Sequence, residues 1–517
     1  MDERAPFTLS ILPVEIVEEI LSYLDLATIK ALRLSSRAIH KDCTGFRFKH
    51  FLRQKSFPLT RSGLQYIQDI VTHPILGDAV KKLKIWAIVY DQTPHVKVIE
   101  SWKKQQKQQK EHDDNDDPNL KLTEKDSELS QAEADLKWLQ AQQELQDETS
   151  YDETVKEFSF CLGQIRRLDE IELDAVICQG PGNTMPTDVG KTNWYPVWMR
   201  ASRNYCIAME AMTLSKIQLK SLNVYQRTPR CSVPLYDIET HLEMLPSDAL
   251  HDVGKHLQRL SLSISNKVTT GAMDRPPRTP IQCHEVAWYG KRSPHMQYVS
   301  SLGGDHSEDD DNLDGLAKFL RLTPNLKSLE VHFYNTSLPG RLAGSHRIIK
   351  NINRETLVHQ LRECSLQGIG VSQDSLIQFL SDHALITDLT LCQITLLQGG
   401  SWCPVFAALE ERTPRLERLH LATLKWAGGH SVNLHPVWDD LPKELEESRR
   451  SFISYVHTKT FSAKDISKGL KFQEMPSEPQ FQSTLEAQQW RKSVAMRYGL
   501  PWEERPKYVT GNFGRRY

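Results

Sequence analysis

The sequence lacks the short motifs that mark the common enzyme and zinc-binding families. It contains no Gly-x-x-x-x-Gly-Lys-Ser/Thr phosphate loop, no His-Glu-x-x-His zinc helix and no Gly-x-Ser-x-Gly nucleophile turn. None of its nine cysteines belongs to a Cys-x-x-Cys pair, so the usual spacing of a structural zinc site is absent as well. We therefore expect no catalytic residue, no metal ligand and no cofactor.

The sequence also lacks a strong excess of either charge and any long apolar run. Its net charge is -2, which gives no general attraction to nucleic acid or to an anionic membrane, and we expect neither as a partner. No segment reaches the roughly eighteen continuous apolar residues that a membrane-spanning helix needs. The odd number of scattered cysteines favours reduced thiols, so we expect a cytoplasmic or nuclear location, or both.

Apolar residues in the first fifty positions recur at helical spacing. Leu12-Pro13 opens the pattern, and Pro13 suits a first helical turn because its missing N–H would have no partner there. Asp25 and Thr28 mark a break, after which a second apolar set begins. Short helices of this kind make only a small core, so they usually dock on another surface. The two sets are Ile16, Ile20, Leu21 and Leu24, and then Ile29, Leu32 and Ile39.

The order of the motif elements from Leu9 to Phe51 resembles the F-box. These elements are the Leu-Pro start, the helical spacing, and a second helix with Leu-Arg followed by Ser-Arg. The resemblance implies that the segment binds a Skp-family adaptor, which tethers it to a cullin–RING ubiquitin ligase. The alternative is an ordinary amphipathic hairpin that caps the next domain. The adaptor contacts that the resemblance implies are Leu12, Pro13, Ile16, Ile20, Leu21, Leu24 and Leu32.

A Leu-x-x-Leu-x-Leu pattern, with Val, Ile and one Cys allowed, recurs eight times in the rest of the chain. Positions one, four and six of each copy are expected to point inward, with a short strand at the fourth to sixth positions. Helical segments precede several copies. We therefore expect Leu329, Leu366, Leu389 and Leu419 to be buried on parallel neighbouring strands. The copies begin at Val80, Leu168, Leu219, Leu257, Leu326, Leu361, Ile386 and Leu416.

This combination resembles the F-box/leucine-rich-repeat proteins, in a divergent, fungal-type form. The resemblance implies an α/β fold in which an N-terminal α-helical F-box precedes an irregular leucine-rich-repeat-like solenoid with long disordered or helical insertions. An ordinary α/β domain with several parallel strands is the alternative. The predicted divisions are an F-box at 8–52, a first repeat at 75–100, a low-complexity linker and exposed helix at 101–150, a solenoid at 151–430 and a C-terminal extension at 431–517.

Polar segments interrupt the predicted repeats. Lys103–Lys110 is rich in Lys and Gln and leads into the acidic run His112–Pro118, and we expect a disordered loop because such segments bury too little apolar surface. Glu124–Glu148 is expected to be a mostly exposed helix. Asn266–Asn312 is a second polar insert. Gln488–Tyr517 mixes basic and aromatic residues, which suits either a surface for single-stranded nucleic acid or aromatic packing on the last repeats.

Together these features predict a non-catalytic substrate receptor of a Skp–cullin–F-box ubiquitin ligase. The F-box would dock the adaptor, and the solenoid would capture an unidentified target protein for ubiquitin-dependent degradation. One alternative is a scaffold that works with the adaptor without degradation, and a cullin in the purified complex would separate the two. The other is an enzyme with no recognisable motif, which a deep pocket with paired titratable groups would favour.

Overall fold

The computed structural model confirms the predicted α/β class. The insert Asn266–Asn312 and the segment Gln488–Tyr517 lie outside the residues that the structure describes. The described residues are 12–74, 76–112, 122–182, 184–186, 194–228, 231–265, 314–334, 345–355, 358–397, 399–426, 430–434, 458–470 and 472–474.

Short helices with a small core of their own form the first part of the described chain. They are followed directly by a long sheet, on which a layer of helices packs. The first four helices are α1 (Val14–Ser22), α2 (Leu26–Ser35), α3 (Arg37–Asp42) and α4 (Phe46–Leu52). We call residues 12–52 the helical unit.

The strands of the main sheet follow one another in chain order. Along its path the described strands run β1-β2-β3-β5-β7-β8-β9-β11-β13-β16, and neighbours pair in parallel except for β16, which is antiparallel to β13. The strands are β1 (Gln54–Pro58), β2 (Lys82–Tyr90), β3 (Glu170–Cys178), β4 (Thr184–Pro186), β5 (Ser221–Val224), β6 (Val233–Pro234), β7 (Arg259–Ser265), β8 (Ser328–Tyr334), β9 (Glu363–Gln367), β10 (Gly370–Val371), β11 (Asp388–Cys392), β12 (Thr395–Leu396), β13 (Arg418–Ala422), β14 (Lys425–Trp426), β15 (His430–Asn433), β16 (Thr458–Ser462) and β17 (Gln473–Glu474).

The buried residues of the eight predicted copies line up in rows across this sheet. The first, fourth and sixth residues of every copy are at most 5% exposed. Leu329, Leu366, Leu389 and Leu419 are buried on the parallel neighbours β8, β9, β11 and β13, so that prediction is confirmed. The fourth-position row, in order of pairing, is Leu83, Ile171, Leu222, Leu260, Leu329, Cys364, Leu389 and Leu419.

Two strands that the pattern did not predict close the ends of the sheet. β1 adds a strand before the first copy and brings Lys55 opposite Leu83, where the other strands carry an apolar residue. The Lys55 ammonium is accommodated because it donates a hydrogen bond to the carbonyl oxygen of Phe51 at 3.2 Å. β16 adds a strand at the other end, with Phe461 opposite Leu419.

Apart from α6 and α7, which pack against each other, the helices that follow the helical unit form a layer in which helices close in chain order pack against one another. Their apolar faces and the buried rows of the sheet share one core. The helices are α5 (Arg61–Val71), α6 (Thr93–His112), α7 (Leu122–Asp147), α8 (Tyr151–Gln164), α9 (Trp194–Ser215), α10 (Leu235–Met244), α11 (Ser247–Gly254), α12 (Gly315–Arg321), α13 (His346–Glu355), α14 (Gln373–Asp382), α15 (Trp402–Arg412) and α16 (Ala463–Ile466).

A left-handed residue follows several strands and turns the chain toward the next helix. Tyr225, Gly368, Gln393 and Thr423 have φ between 52° and 75°. Gly368 suits this position because a side chain there would also overlap the carbonyl oxygen of Phe333. After three of these turns the chain forms the short strands β10, β12 and β14, which belong to a second, smaller sheet with β15 and β17.

The insertion after β2 differs from its prediction. Residues 103–112 continue helix α6, where the sequence analysis placed a disordered loop, and the rest of that predicted loop, 113–118, lies outside the described residues. Lys and Gln are good helix formers, and low hydrophobicity alone does not distinguish an exposed helix from a loop. The predicted helix at 124–148 is observed as α7, but Leu139 is fully buried, and the Trp138 ring packs edge-on against Tyr90 of β2 at 6.2 Å.

The helical unit joins the sheet through one residue. Arg53 alone separates the end of α4 from the start of β1. Its carbonyl oxygen accepts hydrogen bonds from the backbone N–H groups of Lys81 at 2.8 Å and Lys82 at 2.9 Å. Leu76 and Ala79, from the turn that leads into β2, pack against the core of the helical unit. The unit is therefore held against the first strands by hydrogen bonds and by apolar contacts.

Candidate functional site

The start of the first helix follows from the Leu-Pro pair. Pro13 is the N-cap of α1, with φ −53° and ψ 146°, and its carbonyl oxygen accepts the first helical hydrogen bonds, from Ile16 and Val17. Proline suits this place because its ring fixes φ near the required value. Val17 and Leu21, one turn apart, then point into the unit and are at most 1% exposed.

Side chains cap the next two helices. The carboxylate of Asp25 accepts a hydrogen bond from the backbone N–H of Thr28 at 2.8 Å and starts α2. The hydroxyl of Ser36 accepts from the backbone N–H of Ile39 at 3.1 Å and starts α3. Both are residue types that favour an N-cap. The break that the sequence placed at Asp25 is therefore a helix boundary fixed by a cap.

The core of the helical unit is small and closed. Val17, Leu21, Ile29, Cys43, Phe48 and Leu52 are buried together. Burial raises the pKa of the Cys43 thiol, so it stays neutral and packs as an apolar group. The guanidinium of Arg33 covers the ring of Phe48 from 3.8 Å.

Two hydrogen bonds join the first and last helices of the unit. The carboxylate of Glu18 in α1 accepts a hydrogen bond from the backbone N–H of Arg47 in the first turn of α4, at 2.8 Å. The guanidinium of Arg47 donates back to the carbonyl oxygen of Ser22 at 3.1 Å. The N-cap of α4 is Gly45, which has no side chain to cap the helix. Glu18 supplies from another helix the acceptor that this helix start lacks.

We expect Gly45→Ala to cost about 1 kcal/mol of unfolding free energy, because the new Cβ would overlap Oε1 of Glu18 and displace this cap. The matched control is Gly163→Ala in α8, where a Cβ meets no atom within 4 Å. There we expect a gain of about 0.5–1 kcal/mol from helix propensity. Chemical denaturation of both variants measures the difference, and equal effects would contradict the assignment of the cap.

The predicted adaptor-contact residues fall into two groups. Pro13 and Ile16 are exposed, and Leu12, Ile20, Leu24 and Leu32 are half-buried. Pro13, Ile16, Ile20 and Leu24 follow one another at intervals of three or four residues, so they form one stripe along α1 and its end. Leu21 differs, because it lies in the core of the helical unit and supports the stripe from inside.

The helical unit also exposes large apolar side chains that the sequence analysis did not select. Among the described residues, five of the twelve exposed large hydrophobic side chains lie within residues 14–52. Besides Ile16, at 47% exposure, they are Val14 at 56%, Tyr23 at 80%, Leu34 at 87% and Phe46 at 77%. A concentration of exposed apolar groups on so small a unit is typical of a surface that another protein covers. Burying one such side chain typically gives about 1.5–3 kcal/mol.

A second polar feature lies across β2 and β3, on the face of the sheet opposite the buried rows. The carboxylate of Glu172 is fully buried and pairs with the ammonium groups of Lys82 and Lys84, the latter at 3.2 Å, and with Arg227 at 3.4 Å. Lys84 also lies 2.5 Å from Asp174. Although burial would raise the pKa of Glu172, the two ammonium groups hold the pKa below its ordinary value. We call these five residues the Glu172 network.

Two titratable groups in the helix layer, His241 and Cys206, are enclosed. His241 is fully buried, and burial lowers its pKa to about 4. Burial also raises the pKa of the Cys206 thiol well above its ordinary value. Both groups are therefore neutral at neutral pH and are not presented to a substrate in this conformation.

Within the described ranges, no three His, Cys, Asp or Glu side chains are grouped so that they could hold a metal ion. No described helix is both long and apolar enough to cross a bilayer. The structure therefore presents exposed apolar side chains on a small helical unit that is joined directly to a long sheet.

Comparison with known protein families gives a match to part of the chain. The family model of the F-box domain matches residues 9–49, which span α1 to α3 and reach into α4. No curated protein matches the chain. The capped helices, their small core and the partly exposed apolar stripe agree with this match. Residues 9–49 of this chain are an F-box domain.

Proposed function

We propose that this chain is the substrate-recognition subunit of a Skp–cullin–F-box ubiquitin ligase. The observation that carries the proposal is the F-box domain with its apolar stripe, in which Pro13 and Ile16 are exposed and Ile20 and Leu24 are half-buried. F-box domains typically bind Skp-type adaptors of cullin–RING ligases, and a surface of this kind loses solvent contact when a partner covers it. Leu12 and Leu32, half-buried at its margin, would complete the contact, and Leu21 would hold the stripe in place from the core.

We propose further that the sheet and its helix layer are a leucine-rich-repeat-like solenoid that captures the target protein. In support, the described strands of the main sheet follow chain order, and the inward positions of all eight copies share common rows. The units share one apolar core, which is the energetic principle of repeat proteins. The adaptor would occupy the F-box surface, so a different surface has to select the target.

In this proposal the chain is not itself an enzyme. The bond to ubiquitin would be made by the conjugating enzyme that the ligase recruits, and this chain would contribute proximity between that enzyme and the target. The location that suits this role is the cytoplasm, the nucleus or both. A scaffold without degradation is the remaining alternative, and it shares the adaptor contact but not the cullin.

The adaptor contact is tested by the double variant Leu12→Ala, Pro13→Ala in the full-length chain. We expect the affinity for a Skp-family adaptor to fall by about 2 kcal/mol or more, which is roughly 30-fold, because an apolar anchor and the preset helix start are both removed. Isothermal titration measures the affinity. The control is Tyr66→Ala, an exposed ring on α5 outside the F-box at 46% exposure, which should leave the affinity unchanged.

A second variant separates binding from folding. Leu12 packs partly against the core of the helical unit, whereas Ile16 is 47% exposed, so Ile16→Asp should weaken adaptor binding without unfolding the unit. Unchanged affinity in both variants would refute the proposed contact. Purification of the wild-type complex from cells then decides between the two functions, since a ligase subunit brings a cullin with it and an adaptor-only scaffold does not.

A further inference from the structure

The residues that immediately precede the strands form a hydrogen-bonded row along the amino-terminal edge of the sheet. The backbone N–H of Gln258 donates to the carbonyl oxygen of Lys220, that of Lys327 to Gln258, and that of Arg362 to Lys327, each at 2.8 Å. Neighbouring positions in such a row are about 4.8 Å apart. Four consecutive units therefore present Lys220, Gln258, Lys327 and Arg362 side by side.

This edge carries an excess of positive charge on a chain whose net charge is -2. The loops at 216–221, 255–259 and 322–328 contain five Lys or Arg residues and no Asp or Glu. The basic edge, as we call it, comprises the exposed residues Lys216, Lys220, Arg259, Lys327 and Arg362.

Most of this charge is not neutralised within the described part of the chain. Lys220 pairs with Asp169 at 2.8 Å. Lys216, Arg259, Lys327 and Arg362 form no ion pair within 4 Å with another described residue. The pKa of the nearby Asp252 carboxyl is lowered by its pairing with Lys255 and, to a smaller extent, by Lys216. The exposed carboxylate of Glu363 follows Arg362 directly and offsets part of the charge. Like charges held side by side by the fixed spacing of a sheet repel one another, and an acidic partner would remove that cost.

The side chains of the basic edge suit an acidic peptide better than a nucleic acid. Surfaces for single-stranded nucleic acid place aromatic rings between the basic residues so that bases can stack. The loops at 216–221, 255–259, 322–328 and 358–363 contain no Phe, Tyr or Trp. The residues that alternate with the charges are small or amide-bearing, such as Ser221, Gln258 and Asn325.

We propose that the basic edge binds an acidic, Asp- and Glu-rich peptide segment of the target protein. This inference rests on the proposed function, because it names the chemistry by which the solenoid would select its target. The segment would lie across the strands, along the edge, with its carboxylates opposite Lys220, Lys327 and Arg362. The attraction is between exposed charges, so binding should weaken as salt concentration rises.

The test measures binding of a fluorescent poly-glutamate peptide to the full-length chain by anisotropy. We expect the double variant Lys327→Glu, Arg362→Glu to weaken binding by about tenfold or more, because two attractions become repulsions. The matched control is Lys156→Glu, Lys350→Glu, which reverses two exposed charges on the helices α8 and α13 and should leave the affinity within about twofold.

Three results would overturn the inference: no binding of poly-glutamate by the wild-type chain, equal losses in the two double variants, or tighter binding of an oligothymidylate of equal charge. Titration with the adaptor shows whether a failure of the peptide-binding proposal is also a failure of the proposed function. Lys327→Glu, Arg362→Glu should bind the adaptor as the wild type does. Ile16→Asp should lose the adaptor and keep the peptide, so each proposal can fail without the other.

Discussion

The double variant Lys82→Met, Lys84→Met should lose about 3–5 kcal/mol of unfolding free energy, because it removes two cations from a buried ion network and leaves the carboxylates in place. Methionine keeps most of the length of the lysine stem, so packing changes little. Among the described residues, the fully buried carboxylate of Glu172 would then keep only Arg227, whose side chain is 60% exposed, as a cation. Urea denaturation at neutral pH measures the loss.

The control is Lys220→Met, which removes one ammonium group from a solvent-exposed pair with Asp169. A pair of that kind is worth at most about 1 kcal/mol. The same chemical change should therefore have a much smaller effect where the carboxylate can be hydrated. Similar losses in the two proteins would mean that the burial of Glu172 does not determine the cost.

The loss should also depend on pH, with a sign that follows from the shifted pKa of Glu172. Its folded-state pKa lies below the ordinary value of 4.5, so the network stabilises the wild type fully above that value. This contribution disappears as pH falls through the folded-state pKa. The difference between wild type and double variant should therefore shrink below about pH 4.5. A difference that stays constant from neutral to acidic pH would contradict this assignment.

We expect Leu389→Ala to destabilise the chain by about 2–5 kcal/mol. Leu389 is 2% exposed and lies in the fourth-position row between Cys364 and Leu419, where rigid strands on both sides prevent the site from collapsing onto the cavity. Leu385→Ala is the control, since that leucine is 36% exposed and its loss should cost less than about 1 kcal/mol. Thermal or chemical denaturation compares the two, and equal losses would refute the register.

The buried rows could be predicted because their signal is local. In each copy, three apolar residues at fixed spacing identify a strand and its inward face, and the structure pairs Leu329 with Cys364, and Cys364 with Leu389, as that spacing requires. β1 gave no such signal. Its inward position holds Lys55, whose burial depends on a carbonyl oxygen of the preceding helix, and this contact exists only in three dimensions.

The sequence predicted which residues of the candidate site share a helix face. It did not predict which of them are buried in the core and which lie at the surface. Helical spacing groups Ile20 with Leu21, yet the structure leaves Ile20 half-buried and encloses Leu21 completely. Val17, which the sequence analysis omitted, is buried beside it. The cap that Glu18 provides to α4 joins residues 29 positions apart, so no local sequence pattern could predict it.

The sequence contains a signal for the Glu172 network that the sequence analysis did not use. Two predicted strands carry complementary charges at alternate positions, Lys82 and Lys84 in one and Glu172 and Asp174 in the other. Alternate residues share one face of a strand, and adjacent strands bring such residues within contact distance. Complementary alternation in two neighbouring copies is therefore informative, even when the chain between them is long.

The one-residue junction at Arg53 removes the hinge that usually separates a docking module from the domain it carries. Rotation there would break the hydrogen bonds from Lys81 and Lys82 and expose Leu76 and Ala79. The two parts should therefore tumble as one body. The distance between their binding surfaces should be fixed by the fold, whereas a flexible linker would let it vary. In a ligase, a protein bound at the F-box would then be held in one fixed position relative to the target. Its effective concentration would be high near the target groups that face it and negligible near the groups that face away.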